Sequence, residues 1–162
     1  MQDTENPYAA PTTKTHDVSS RADGEIRKLF SPTQGGAGAF VFGPLMGLYV
    51  IQSNFAALDE HAKRMQAITY GAVFVAGFLL LIPFLPDRIP GYVFGLVYMF
   101  VTRSIIEKHQ LNKQQITDSA SYAFKSNWLV FGMGMLSALI MVAIMVLVFF
   151  VYATLGWIEP LW

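Results

Sequence analysis

The chain of 162 residues is about one domain long, but 54% of its residues are hydrophobic and only 14% are charged, against roughly 45–50% and 25% in soluble proteins. This surplus of apolar residues requires a nonpolar solvent. The zero net charge does not indicate a nucleic-acid partner, and the lack of cysteine excludes disulfides, thiolate metal ligands and a cysteine nucleophile.

The first 24 residues are predicted to form a disordered cytoplasmic tail, because they are mostly polar and contain two prolines and almost no large aliphatic side chains. They also lack the basic start and apolar core of a secretory signal peptide. Ser31 and Pro32 are typical of a helix start, with a hydroxyl at the N-cap and proline in the first turn. We therefore predict a helical membrane domain over residues 25–162, with its first helix beginning near residue 32.

Three long apolar segments are predicted to be transmembrane helices. Residues 67–85 and 128–157 contain no charge and are long enough to cross a hydrocarbon core of about 30 Å. Residues 91–106 follow a proline-rich turn and are expected to return through the membrane. Residues 103–127 are polar and mildly amphipathic, which predicts a helical segment near the membrane surface.

A fourth uncharged segment, residues 32–58, is called segment one. It is broken at Gly43-Pro44 and polar near its end. Because Lys and Arg accumulate on the cytoplasmic side, the eleven basic residues test its topology. If segment one crosses fully, they divide almost equally. If it re-enters as two half-helices, or lies in the interface, ten lie on one side and only Arg88 on the other.

The charge count therefore favours an all-α membrane protein with three transmembrane helices and a bent re-entrant or interfacial segment one. In this topology the N-terminus is cytoplasmic and the C-terminus is periplasmic. Four full transmembrane helices are the alternative.

Small residues recur at four-residue spacing in segment one and in the later segments. Such stripes let helix backbones approach closely in lipid, where apolar surface alone does not drive association. They could serve packing inside the bundle or contact with another protein. The candidate packing residues are Gly35, Ala39, Gly43, Pro44, Gly47, Gly91, Gly95, Gly134 and Ala138.

We predict no catalytic, cofactor or metal site. His16, His61 and His109 fall in the tail and in polar loops without metal-ligand spacing. The predicted transmembrane segments have no ionisable residue in their interior, which disfavours ion-coupled transport within a monomer. Arg103 and Glu107 are spaced to form an exposed ion pair on one helix.

Short motifs in the first 60 residues carry a resemblance. They are Asn6–Pro11 (NPYAAP), Phe30–Gln34 (FSPTQ), Gly43–Gly47 (GPLMG) and Asn54–Leu58 (NFAAL). With these motifs the chain resembles a family of small uncharacterised bacterial inner-membrane proteins. The resemblance implies the compartment, the bacterial inner membrane, and a purpose for the Gly-Pro bend.

We therefore expect a non-enzymatic inner-membrane protein that acts through helix contacts with a membrane partner, as an accessory subunit or a toxin-immunity protein does. The alternative is a subunit of an oligomeric channel or transporter, with segment one lining a pathway at Gln52, Ser53 and Asn54. The expected partners are the lipid bilayer and either another membrane protein or a second copy of the chain, with no nucleic acid and no cofactor.

Overall fold

The computed structural model describes residues 26–86 and 88–157, and these are mostly helical. The predicted tail, residues 1–24, lies outside the described residues. In chain order the elements are β1 (Arg27–Leu29), α1 (Pro32–Phe42), α2 (Pro44–Ala57), α3 (His61–Leu81), a 3₁₀ turn (Ile82–Phe84), α4 (Gly91–His109), α5 (Lys113–Thr117), β2 (Tyr122–Phe124) and α6 (Asn127–Thr154).

The start of α1 is the one that the sequence predicts. The Ser31 hydroxyl accepts a hydrogen bond from the Gln34 backbone N–H (3.1 Å), and the Gln34 side chain accepts one from the Ser31 N–H (3.0 Å). This reciprocal capping box satisfies two backbone donors that a helix start otherwise leaves free. Pro32 occupies the first turn.

The break between α1 and α2 is at Gly43, whose backbone has φ +85° and ψ −171°. An L side chain rarely adopts this conformation. Pro44, directly after it, starts the new helix, where its missing N–H costs nothing. The Gly-Pro pair therefore turns the chain rather than bending one continuous helix.

Together α1 and α2 form an antiparallel helical hairpin, which we call the hairpin. Near its tip Gly38 faces Met46, and Ala39 faces Gly47. Farther from the tip Gly35 faces Val50. The two ends of segment one consequently lie side by side.

The hairpin is surrounded by the three longest helices. Phe40 of α1 packs against Gly95 of α4, α2 packs along α3, and α6 covers the hairpin from another side. Near the tip, Leu45 packs against a buried cluster of Val75, Leu79 and Met141. Met141 lies midway along α6, so the tip reaches about half the length of that helix.

At the end of the bundle beyond the tip, α3 and α6 meet again. The Tyr152 hydroxyl donates a hydrogen bond to the Leu80 carbonyl (3.0 Å), and the Tyr152 ring packs edge-on against Phe84. The helices α3 and α6 therefore run parallel, with α4 antiparallel to both.

Two helices of the described part, α3 and α6, are long and apolar enough to cross a membrane. In the most apolar stretch of α3 only 11% of the residues are buried in the protein, and in that of α6 only 17%. Most of the apolar side chains of these two helices are therefore exposed. The third predicted span corresponds to α4, which has 19 residues but does not reach the same hydropathy. Two of the three predicted spans are thus helices with the length and hydropathy that a span requires.

Residues 103–127 differ from the prediction of one surface helix, and the fold is not purely α-helical. The helix α4 continues to His109, the short α5 follows, and β2 pairs in parallel with β1 in the register Arg27 to Tyr122 and Leu29 to Phe124. The two strands come from distant parts of the chain, so no local pattern indicated them. The predicted ion pair between Arg103 and Glu107 is present (2.8 Å).

The turn at Gly43 leads to a first prediction. Replacing Gly43 with Ala should lower the free energy of unfolding by about 1–3 kcal/mol, because Cβ opposes the required backbone conformation. Gly132→Ala is the matched control: it lies inside α6, nothing is within 4 Å of an added Cβ, and it should be neutral or stabilising by up to about 1 kcal/mol. Denaturant unfolding in detergent micelles measures both, and equal effects would contradict the prediction.

Candidate functional site

Most of the predicted packing residues are in contact within the chain. A Cβ on Gly35 would lie 2.5 Å from Ile106 Cδ1, and one on Gly47 would lie 2.5 Å from Thr102 Oγ1. Ala39 is completely buried. The small residues of segment one thus allow α1, α2 and α4 to approach each other closely.

The remaining candidates divide into two groups. Gly95 lies against the Phe40 carbonyl and ring, and Gly134 lies against the Phe42 ring. Ala138 is half-buried. Gly43 and Gly91, by contrast, have open space where a side chain would be.

The base of the hairpin is closed by a network of polar side chains, which we call the polar cap: Gln34, Ser53, Asn54, Gln110 and Lys125. At its centre Asn54, 1% exposed, accepts a hydrogen bond from the Phe30 N–H (2.8 Å) and donates one to the Phe30 carbonyl (2.9 Å). Asn54 also donates to the Gln110 side chain (2.9 Å), which in turn donates to the Ile51 carbonyl (2.9 Å).

The polar cap also ties α6 to the hairpin. Gln34 donates hydrogen bonds to the Lys125 carbonyl (2.9 Å) and to the Asn127 side chain (2.6 Å). The Lys125 ammonium donates to the Ser53 hydroxyl (2.6 Å) and lies 4.5 Å from the centre of the Phe30 ring. Burial lowers the pKa of Lys125 from its ordinary value, because desolvation disfavours the charged form.

A cleft of about 530 Å³ lies between α2, α3 and α4. Its walls are mainly apolar, and at one end it is lined by Lys63, Gln66 and His109. Because α3 begins at His61 and α4 ends at His109, this polar mouth is at the same end of the bundle as the polar cap. The apolar walls include Leu48, Ile51, Phe74, Val75, Val101 and Ile105.

The opposite end of the cleft is closed by aromatic rings. Phe78 of α3 packs edge-on against Phe94 and Tyr98 of α4, with ring centroids 5.3 and 5.5 Å apart. The Tyr98 hydroxyl is buried and has no hydrogen-bond partner within the described residues. The volume and apolar lining are those of a ligand site, which usually measures about 300–1,000 Å³ and contains few polar groups.

Within residues 26–86 and 88–157 no three His, Asp or Glu side chains come together, as a protein zinc site requires. His61 lies at the exposed start of α3, and His109 lines the cleft mouth.

The sequence alone does not predict the cleft or the closing role of Asn54. In the sequence Gln52, Ser53 and Asn54 form a polar patch. An asparagine near the end of an apolar segment is the feature that could have indicated the closing role of Asn54. The isolated hydroxyl of Tyr98 within an uncharged segment was a weaker signal for the cleft. Comparisons of the chain with family models, curated proteins and solved structures found no match, so the resemblance to small inner-membrane proteins stays a prediction.

The polar cap leads to a second prediction. Asn54→Ala should lower the free energy of unfolding by about 2–4 kcal/mol, because it leaves the buried N–H and carbonyl of Phe30 without partners. Gln52→Ala is the control, because Gln52 only accepts a hydrogen bond from Arg64 at a partly exposed position (3.1 Å) and should lose less than about 1 kcal/mol. Unfolding in detergent measures both. A loss for Asn54→Ala no larger than the control would refute its closing role.

Proposed function

We propose that this chain is a multi-pass protein of the bacterial inner membrane, with α3, α4 and α6 as its three spans and the hairpin re-entering from the cytoplasmic side. The exposed apolar surfaces of α3 and α6 support a lipid environment. Non-helical backbone at membrane depth is tolerated where protein covers it. The turn at Gly43 meets this condition in part: its neighbours Phe42 and Leu45 pack against α6 and against the cluster that joins α3 to α6, whereas the space beside Gly43 itself is open.

The positions of the basic residues support this orientation. Of the nine basic residues in the described part, eight lie in elements at the end of the bundle that holds the polar cap. Arg88, between α3 and α4, is at the other end. The rule that Lys and Arg accumulate on the cytoplasmic side therefore assigns the polar cap to the cytoplasm.

Single cysteines test this topology directly, because the native chain has none. Ala62→Cys, exposed at the start of α3, should react with a membrane-impermeant maleimide only after spheroplasts are lysed. Ile89→Cys, exposed between α3 and α4, should react in intact spheroplasts. Four full spans with a cytoplasmic N-terminus would reverse both results and refute the re-entrant hairpin.

We further propose that the protein acts without catalysis, by binding another membrane component in the cleft. The observation behind this proposal is a cleft of about 530 Å³ with mainly apolar walls between α2, α3 and α4. The small-residue stripe is a poorer candidate for such a contact, because Gly35, Ala39 and Gly47 are already packed inside the chain.

The oligomeric channel is a weaker proposal for a similar reason. A pathway along segment one would need polar side chains free to face the permeating species. Gln52, Ser53 and Asn54 instead form hydrogen bonds with Arg64, Lys125, Phe30 and Gln110 of the same chain. These bonds hold the hairpin base together, so we favour binding at the cleft.

A filled cleft tests the proposed binding. Val101 lines the cleft and is 48% exposed, whereas Val97, one turn earlier on α4 and 47% exposed, does not line it. A membrane extract should raise the melting temperature of the detergent-purified wild type and of Val97→Trp by several degrees, since a ligand at about 100 times its Kd contributes about 2.7 kcal/mol.

Val101→Trp should lose this shift while keeping its own melting temperature in detergent, because the new ring enters space that is empty in the free protein. Equal shifts for Val97→Trp and Val101→Trp would show that binding occurs elsewhere and would overturn the proposal.

A further inference from the structure

We infer that the cleft holds one acyl chain of an anionic phospholipid from the cytoplasmic leaflet, with the lipid phosphate at Lys63 and His109. This inference rests on the proposed function and names its ligand. Three features carry it: the dimensions of the cleft, the distribution of polar groups along it, and the charge at its mouth.

The length of the cleft suits an acyl chain. From Lys63 to Phe74 on α3, and from Tyr98 to His109 on α4, eleven residues separate the mouth from the closed end, which is about 16 Å at 1.5 Å per residue. A volume of about 530 Å³ over this length gives a mean cross-section of about 33 Å².

The polar groups lie where a phospholipid would need them. The apolar walls continue from Ile105 and Val101 to the aromatic closure at Phe78 and Tyr98, and they offer an acyl chain the surface that it prefers. The cationic residue of the lining, Lys63, is at the mouth. A ligand with one long apolar part and one anionic end matches this order.

The charge at the mouth is available to a phosphate. Lys63 is paired with Glu60 (2.9 Å), but both side chains are nearly half exposed, and water screens such a pair strongly. His109 also lines the mouth, and Lys108 lines an adjoining groove that shares Val101, Ile105 and His109 with the cleft. In the proposed orientation these groups face the leaflet that carries anionic lipids.

The test compares two lipids with identical acyl chains on delipidated full-length protein in detergent. Phosphatidylglycerol should bind at least about fivefold more tightly than phosphatidylcholine, because its headgroup carries a net negative charge beside the Lys63 ammonium. Lys63→Gln should weaken phosphatidylglycerol about fivefold and phosphatidylcholine less, since the choline cation of phosphatidylcholine offsets the charge of its phosphate. Lys113→Gln, in α5 and not in the cleft lining, is the matched control and should behave as wild type. Native mass spectrometry gives each affinity.

The outcomes separate this inference from the proposed function. If Val101→Trp prevents both lipids from binding, but neither the headgroup charge nor Lys63→Gln changes the affinity, the proposed binding in the cleft is supported and the inferred anionic headgroup is wrong. If Val101→Trp leaves both lipids bound and releases a co-purifying protein instead, the occupant is a protein and the inference is overturned. If Val101→Trp changes neither the binding of the two lipids nor the binding of any other ligand, both proposals fail.

Discussion

The arrangement of this protein depends on the pairing of the Asn54 side chain with the backbone of Phe30. Phe30 lies between β1 and α1, so its N–H and carbonyl have no place in a ladder, and a carboxamide supplies one acceptor and one donor for them. Because these two hydrogen bonds are buried, losing them would lower the free energy of unfolding substantially. The pairing holds the end of α2 beside the start of α1, and the chain between them can therefore reach only part of the way along the bundle.

The cleft is a consequence of that partial reach. Because α1 packs on α4 and α2 packs on α3, the hairpin holds these two long helices apart along the cleft. At the level of its tip the rings of Phe78, Phe94 and Tyr98 join α3 to α4. The same hairpin thus produces a closed aromatic end and an open polar mouth, which are the two features on which the ligand proposals depend.

The small residues and the polar residues of segment one have complementary structural roles. The small side chains at Gly35, Ala39 and Gly47 let three helices approach closely along the hairpin. The polar residues at its base direct Gln110 and Lys125 toward the hairpin and connect α4 and α6 to it. The small residues and the polar residues named here are therefore used in contacts within the hairpin and its neighbouring helices. The cleft is the space between the helices that these contacts do not fill.

The sequence by itself determined the elements whose causes are local. The Ser31-Pro32 start, the break at Gly43-Pro44 and the long apolar helices α3 and α6 follow from capping, backbone restriction and hydropathy, which depend on neighbouring residues. Only the tertiary structure decided the pairing of β1 with β2, the contact of Asn54 with Phe30 and the existence of the cleft. These features join residues 24 to 95 positions apart, and no pattern along the chain encodes which distant groups will meet.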